Sequence, residues 1–194
     1  WWTHLWLNEG FATWMASFAI DYLFPEWDIW TQFVTDEYAR ALSLDGLRST
    51  HPIEVEVGHP NEIIQIFDSI SYCKGASIIR MIHDYLGADA FRTGLQIYLI
   101  RHAYGNATTE DLWRALSETS GQPVREIMDT WTKQSGYPLI TLKQTSRSKF
   151  EIEQRRFLAG GGELTEKERA QVWNIPLAYR IEVGEGSFER KMLF

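Results

Sequence analysis

The chain has little cysteine, no long apolar run and none of the common catalytic motifs. Its single cysteine, Cys73, cannot form an internal disulfide, which fits a reducing compartment. No apolar run approaches the roughly 20 residues that a membrane-spanning helix needs, so we expect no span in this chain. The sequence contains no Gly-x-Ser-x-Gly, no phosphate-binding glycine loop, no Cys-x-x-Cys and no His-Glu-x-x-His. Motif spacing alone therefore assigns no reaction.

The composition is that of a folded globular protein with unevenly distributed charge. Of the 194 residues, 44% are hydrophobic and 23% are charged, which excludes a disordered tail and leaves enough apolar mass for a core. Residues 1–136 carry 18 acidic and 9 basic side chains, whereas residues 137–194 carry 8 acidic and 10 basic ones. The acidic first part argues against nucleic acid as a partner, because such a surface needs clustered positive charge.

The hydrophobic pattern changes after Gly136. Before it, apolar residues recur at helical spacing, as from Phe11 to Leu23, where Pro25 ends the pattern. After it, apolar residues occur in short runs typical of strands. The predicted helices cover about 11–23, 27–41, 69–86, 89–104, 108–117 and 123–135, and the predicted strands cover 139–142, 150–153, 173–183 and 188–194.

These patterns predict an α+β chain with a boundary at 136/137. Residues 1–136 form the helical part, and residues 137–194 form the β part. Glu185-Gly186 predicts a turn between the last two strands, and the glycine-rich and charged segment 160–169 predicts a solvated loop.

Two residues are candidates for chemistry, and each has two interpretations. Glu9 is either a first-turn acid that interacts with the helix dipole or a metal ligand, because a charge among Trp and Leu side chains is costly unless it is paired. Tyr72 is either a core tyrosine with a satisfied hydroxyl or a phenol directed at an oxyanion. Gly75 costs about 1 kcal/mol inside a helix and therefore predicts the close approach of another group.

Several segments resemble one family. Trp1-Trp-Thr-His-Leu-Trp-Leu-Asn-Glu-Gly-Phe-Ala12 resembles the segment with the third zinc ligand of M1-family (gluzincin) aminopeptidases. Phe67-Asp-Ser-Ile-Ser-Tyr72-Cys-Lys-Gly75 resembles the stretch that holds the family's catalytic tyrosine. Further matches follow in the family's order at Ser49–Ile53, Asn106–Trp113 and Thr130–Pro138. The match covers nearly all of residues 1–142, and within the family it is closest to the cytosolic, puromycin-sensitive type.

The resemblance implies both a function and a domain arrangement. It implies a cytoplasmic zinc aminopeptidase that hydrolyses the N-terminal bond of peptides with a free N-terminus. In that family Glu9 would complete a His₂Glu zinc site, and Tyr72 would stabilise the oxyanion of the tetrahedral intermediate. Residues 1–136 would be the later part of a thermolysin-like catalytic domain, and residues 137–194 would be part of a β-sandwich domain.

Two of the family's motifs are absent from this sequence: His-Glu-x-x-His and the Gly-x-Met-Glu-Asn loop. One hypothesis is that the chain is a fragment of a working aminopeptidase, with the two His ligands that Zn²⁺ needs outside it. The alternative is a catalytically silent, truncated or degenerate relative that acts as a helical and β binding scaffold. Because one carboxylate cannot hold catalytic zinc, we expect the isolated 194-residue chain to be inactive in either case.

Overall fold

The computed structural model describes residues 1–147, 149–183 and 186–194. The helices within these residues are α1 (Leu5–Leu23), α2 (Ile29–Phe33), α3 (Ala39–Asp45), α4 (Gly75–Leu86), α5 (Ala88–Arg101), α6 (Thr109–Ser120), α7 (Val124–Thr132) and α8 (Glu166–Arg169). The strands are β1 (Pro138–Ser146), β2 (Lys149–Arg156), β3 (Pro176–Val183) and β4 (Gly186–Leu193). In the described part of the chain, no helix is both long and apolar enough to cross a membrane.

The order of helices and strands confirms the predicted α+β class, although several boundaries differ. α1 begins at Leu5, before the predicted start at Phe11, and ends at Leu23. A short 3₁₀ turn, Pro25–Trp27, follows it, because proline lacks the N–H that would continue an α-helix. α7 ends at Thr132 rather than near Ser135.

Local capping chemistry sets helix ends in the first part. Gly87 follows α4 with φ of 85°, a backbone conformation that glycine adopts without a steric penalty. At the start of α6, the Thr108 hydroxyl accepts from the Asp111 N–H, and the Asp111 carboxylate accepts from the Thr108 N–H. This capping box fixes the start of α6.

The helices share one core that is rich in aromatic and branched aliphatic side chains. The rings of Trp6 and Trp113 lie 5.8 Å apart between α1 and α6, and those of Trp14 and Phe91 lie 5.4 Å apart between α1 and α5. Two tryptophans of α1 therefore pack against α6 and α5. The buried members of this core are Trp6, Trp14, Phe33, Ile53, Ile70, Ala76, Ile78, Ile79, Ile82, Phe91, Leu112, Trp113, Leu116, Val124, Ile127 and Met128.

Two predicted helices contain a π-helical turn within the described residues. Val34–Tyr38 joins α2 to α3, and Ile70–Lys74 leads into α4. In the second of these, the Lys74 N–H donates to the Ser69 carbonyl, five residues back, at 2.9 Å. Hydrophobic periodicity predicts continuous helices here because it does not register the one extra residue that a π turn accommodates.

The strands form separate antiparallel hairpins in the described part of the chain. β1 pairs with β2, and β3 pairs with β4. The predicted strands are present with somewhat different bounds. The turn predicted at Glu185-Gly186 includes Glu185, which lies outside the described residues. The division into domains at 136/137 and the β-sandwich assignment stay predictions.

The charged segment that was expected to be a solvated loop contains α8. Thr165 and Glu168 form a capping box at its start, and the Glu168 side chain is buried. Glu168 pairs with Arg156 at 3.3 Å and with Arg48 at 3.0 Å. The expectation is wrong for residues 166–169, because two guanidinium groups compensate the buried carboxylate.

A buried ion pair joins the π turn before α4 to the end of α3. The Lys74 ammonium lies 2.7 Å from Asp45 Oδ2, with only 6% and 2% of the two side chains exposed. Both residues also bond the backbone of Gly136, since Lys74 Nζ donates to its carbonyl at 3.1 Å and Asp45 Oδ1 accepts from its N–H at 2.8 Å. The pair therefore fixes the point where the helices give way to the strands.

The start of the same π turn is held by Asp68. Its Oδ1 accepts hydrogen bonds from the N–H groups of Ile70 at 2.9 Å and of Ser71 at 3.2 Å. Its Oδ2 lies 2.9 Å from His51 Nε2, and His51 Nδ1 lies 2.7 Å from the Pro52 carbonyl. The side chain of Asp68 thus connects the irregular segment after α3 to the turn.

We predict that Lys74→Met destabilises the protein severely, by about 3–5 kcal/mol, because it leaves the Asp45 carboxylate buried and uncompensated. Denaturant unfolding gives the free energy directly. The matched control is Arg92→Met, which breaks an equally short pair with Asp89 whose side chains are 68% and 91% exposed. The control should change stability by less than about 1 kcal/mol, and equal effects in the two variants would contradict the prediction.

We predict that the stabilisation by the His51–Asp68 pair depends on pH. The hydrogen bond to Asp68 raises the pKa of His51 above its ordinary 6.5, so the contribution of His51 is complete below pH 6.5 and is lost as pH rises through the raised value. Burial raises the pKa of Asp68, but hydrogen bonds from His51 and from the turn amides lower it by more. The pKa of Asp68 therefore lies below its ordinary 3.8. The contribution of Asp68 is therefore lost as pH falls through that lowered value.

The measurement compares unfolding free energies of the wild type and His51→Gln across pH. The difference should be largest between pH 3.8 and pH 6.5 and should shrink on both sides. A difference that does not vary with pH would contradict an ion pair.

Candidate functional site

Glu9 lies within α1, whose early residues are anchored on α6. It is the fifth residue of the helix, so it stands past the first turn, and no acidic residue occupies that first turn. Two residues at the start of the chain hold this end of α1. The Trp6 indole donates to the Thr109 hydroxyl at 3.3 Å, and His4 Nδ1 lies 2.9 Å from the same oxygen. The interpretation of Glu9 as a first-turn acid is therefore wrong, because the helix begins earlier than its periodicity suggested.

α1 and α4 approach each other to backbone contact at two glycines. A Cβ added to Gly10 would lie 3.0 Å from the Gly75 carbonyl carbon, and one added to Gly75 would lie 3.2 Å from the Gly10 Cα. Either methyl group would force the helices apart. The close approach predicted at Gly75 is confirmed, and the group that approaches is Gly10.

This contact brings the two predicted site residues together. Glu9 immediately precedes Gly10, and Tyr72 lies in the π turn that leads into Gly75. Both side chains are partly buried, and the Glu9 carboxylate lies close enough to raise the pKa of the Tyr72 hydroxyl. The roles of zinc ligand and oxyanion donor stay predictions.

The environment keeps Tyr72 protonated. Burial raises the pKa of its hydroxyl above the ordinary 10, and hydrogen bonding to Glu9 and the negative charge of that carboxylate raise it further. A protonated phenol retains its O–H donor at neutral and mildly alkaline pH. The arrangement thus presents a hydrogen-bond donor next to a carboxylate.

The π turn that carries Tyr72 is held at both ends by charged side chains. Asp68 binds the amides at its start, and Lys74 at its end pairs with Asp45. Reasoning from the sequence assigned no role to these residues. An Asp two or three positions before amides that lack partners is a typical cap, so the capping signal was present at Asp68. The partner of Lys74, 29 positions earlier in the sequence, had no such local signal.

The other features of this region neither extend the site nor complete a metal centre. A cavity of about 960 Å³ opens beside the start of α1, and its lining includes Asn8 but neither Glu9 nor Tyr72. Among the described residues, no three His, Cys, Asp or Glu side chains are grouped to hold a metal ion. The described part of this chain therefore does not fit zinc by itself, and Glu9 offers one carboxylate ligand.

The chain is similar to known aminopeptidases. The model of the Peptidase family M1 domain matches residues 1–131. "Aminopeptidase M1" of Arabidopsis thaliana is 60% identical over 194 residues, which are 100% of this chain and 21% of that protein. "Aminopeptidase M1-D" of Oryza sativa subsp. japonica is 54% identical over 177 residues, 91% of this chain and 20% of that protein. "Alanine/arginine aminopeptidase" of Saccharomyces cerevisiae is 47% identical over 184 residues, 95% of this chain and 21% of that protein.

The chain spans about a fifth of the length of these relatives. The family match nevertheless covers more than half of the chain, and it includes both Glu9 and Tyr72. The expected resemblance is confirmed, and the chain belongs to the M1 family of peptidases.

Proposed function

We propose that this chain supplies one zinc ligand, Glu9, and the oxyanion-stabilising phenol, Tyr72, of an aminopeptidase. The reaction is hydrolysis of the N-terminal bond of a peptide with a free N-terminus. The observation that carries the proposal is the Gly10–Gly75 backbone contact, which places Glu9 on α1 near enough to Tyr72 for its charge to raise the pKa of the phenol. The names of the similar proteins support the same reaction class.

The donor set indicates that this chain provides only part of the metal site. Glu9 is a carboxylate of the kind that binds Zn²⁺, and two His ligands would come from sequence outside this chain. A bound zinc ion with three protein ligands would make a water molecule a nucleophile at neutral pH. The residues of this chain would hold that ion on one side and present a hydrogen-bond donor to the substrate.

The contribution of Tyr72 follows from its protonation and its place. Attack on a peptide carbonyl places negative charge on its oxygen, and a donor aimed at that position stabilises the charge. A phenol has an ordinary pKa of about 10, so Tyr72 keeps its proton at neutral pH and can donate it to this bond. Two-sided support of the π turn limits movement of the phenol, so little reorganisation is needed when the charge develops.

We also propose a reducing compartment such as the cytoplasm. Cys73 is the single cysteine of the chain and is a buried free thiol. Burial raises its pKa to about 12, and the hydrogen bond to Glu37 adds to the shift. Such a thiol remains unreactive at neutral pH.

In a longer protein that contains this chain and a His-Glu-x-x-His segment, Tyr72→Phe should lower kcat by about 10²–10³, as expected for the loss of one oxyanion donor. Zinc content should not change, because the phenol is not a ligand. The matched control is Tyr85→Phe, which removes an exposed hydroxyl on α4 that bonds Gln122. Normal turnover in Tyr72→Phe would refute the role of Tyr72.

In the same protein, Glu9→Gln should lose zinc, because an amide is a much weaker ligand than a carboxylate. Metal analysis after gel filtration gives the stoichiometry. Glu118→Gln removes a surface carboxylate that pairs with Arg101, and it should keep its zinc. Full zinc content in Glu9→Gln would refute the ligand assignment. If, in addition, the unmutated longer protein shows no peptidase activity, the alternative of a catalytically silent scaffold is favoured.

A further inference from the structure

One side chain connects the loop after α3 to the segment that carries Tyr72. Asp68 uses Oδ1 to accept from the Ile70 and Ser71 amides and Oδ2 to bind His51 Nε2 at 2.9 Å. Its two oxygens therefore serve different partners. One oxygen caps the π turn, and the other is held by the histidine.

His51 is itself held on both sides of its ring. Nε2 faces the Asp68 carboxylate, and Nδ1 faces the Pro52 carbonyl at 2.7 Å. Both neighbours are hydrogen-bond acceptors, so both ring nitrogens act as donors, which is the imidazolium form. The other charged group that acts on His51 is Lys74, whose charge opposes that form. A charge-assisted pair therefore fixes the orientation of the Asp68 carboxylate.

The capped turn determines where Tyr72 lies. The Tyr72 N–H donates to the Asp68 carbonyl at 3.1 Å, so the same residue binds the backbone of the turn at three amides. The first three amides of the π turn all find their acceptors on Asp68, two on its carboxylate and one on its carbonyl. Tyr72 immediately follows Ser71, the second residue whose amide the Asp68 carboxylate caps.

We propose that Asp68, oriented by His51, is a positioning residue for the Tyr72 hydroxyl. Asp68 acts through the backbone of the turn and does not touch the reacting atoms. The inference rests on the proposed function, since it assigns Asp68 a role only if Tyr72 stabilises the oxyanion.

The experiment uses the zinc-loaded longer protein and compares Asp68→Ala with Asp68→Asn. Asp68→Ala removes the cap and should lower kcat by about 10–10², as expected when a reacting group is misplaced by a fraction of an ångström to 1 Å. KM and zinc content should stay near wild-type values. Asp68→Asn keeps an acceptor for the two amides but loses the charge-assisted bond to His51, so its kcat should lie between that of Asp68→Ala and that of the wild type.

A double mutant separates positioning from general destabilisation. If Asp68 acts through Tyr72, adding Asp68→Ala to Tyr72→Phe should cause no further loss of kcat, because the phenol is already absent. Losses that multiply in the double mutant would overturn the inference. Hydrogen exchange provides a readout that does not depend on activity: a peptide spanning residues 66–74 should exchange faster in Asp68→Ala than in Asp68→Asn.

Two further variants complete the test. Thr165→Ala removes a comparable cap from α8 and should leave kcat unchanged, whatever its cost in stability. If Asp68→Ala does not fold, His51→Gln keeps the cap and removes only its anchor, and it should still lower kcat without raising KM. Normal kcat in folded Asp68→Ala, or in His51→Gln if Asp68→Ala does not fold, would overturn the inference about Asp68. The proposed function would still stand in that case if Tyr72→Phe is inactive. An active Tyr72→Phe would refute the proposed function itself.

Discussion

The structure depends on the backbone contact between Gly10 and Gly75. A Cβ added to Gly10 would lie 3.0 Å from the Gly75 backbone, so a side chain at this point would push the two helices apart. The contact sets the distance between α1 and the turn before α4, and hence the distance between Glu9 and Tyr72. Packing in the rest of the core, such as Trp6 against Trp113, holds α1 in the orientation that this contact requires.

A buried ion pair fixes the position of the π turn that carries Tyr72. The Lys74–Asp45 pair is almost fully buried, and such pairs add little net stability because removing both charges from water is costly. What the pair does provide is a single arrangement, because both partners also bind the Gly136 backbone. The end of the π turn, the end of α3 and the start of the strands are therefore coupled at one point.

The sequence predicts much of the fold because its helices and strands carry strong local signals. Pro25 marks a helix end that the structure confirms, because α1 stops at Leu23 and a 3₁₀ turn begins at the proline. The π turns escape prediction because a single extra residue barely disturbs a pattern with a period of 3.6. α8 escapes because its carboxylate is compensated by Arg48, far away in the sequence.

The candidate site is predicted less completely. Residue chemistry leaves Glu9 and Tyr72 with two interpretations each, and only their resemblance to a family favours the functional ones. The sequence cannot show that the two side chains meet, because 63 positions separate them and a tertiary contact between glycines joins them. The anchoring of Asp68 by His51 is hidden for the same reason, since it joins a loop to a turn.

The π turn makes this segment more sensitive to length than to sequence. Successive residues of an α-helix are rotated by about 100° around its axis, so deleting Cys73, which lies between Tyr72 and α4, would turn Tyr72 relative to α4 by roughly that angle. The phenol would then point away from Glu9, although every amino acid of the site would remain. Relatives that keep this geometry must therefore keep the number of residues between Asp68 and Gly75, even where the side chains between them change.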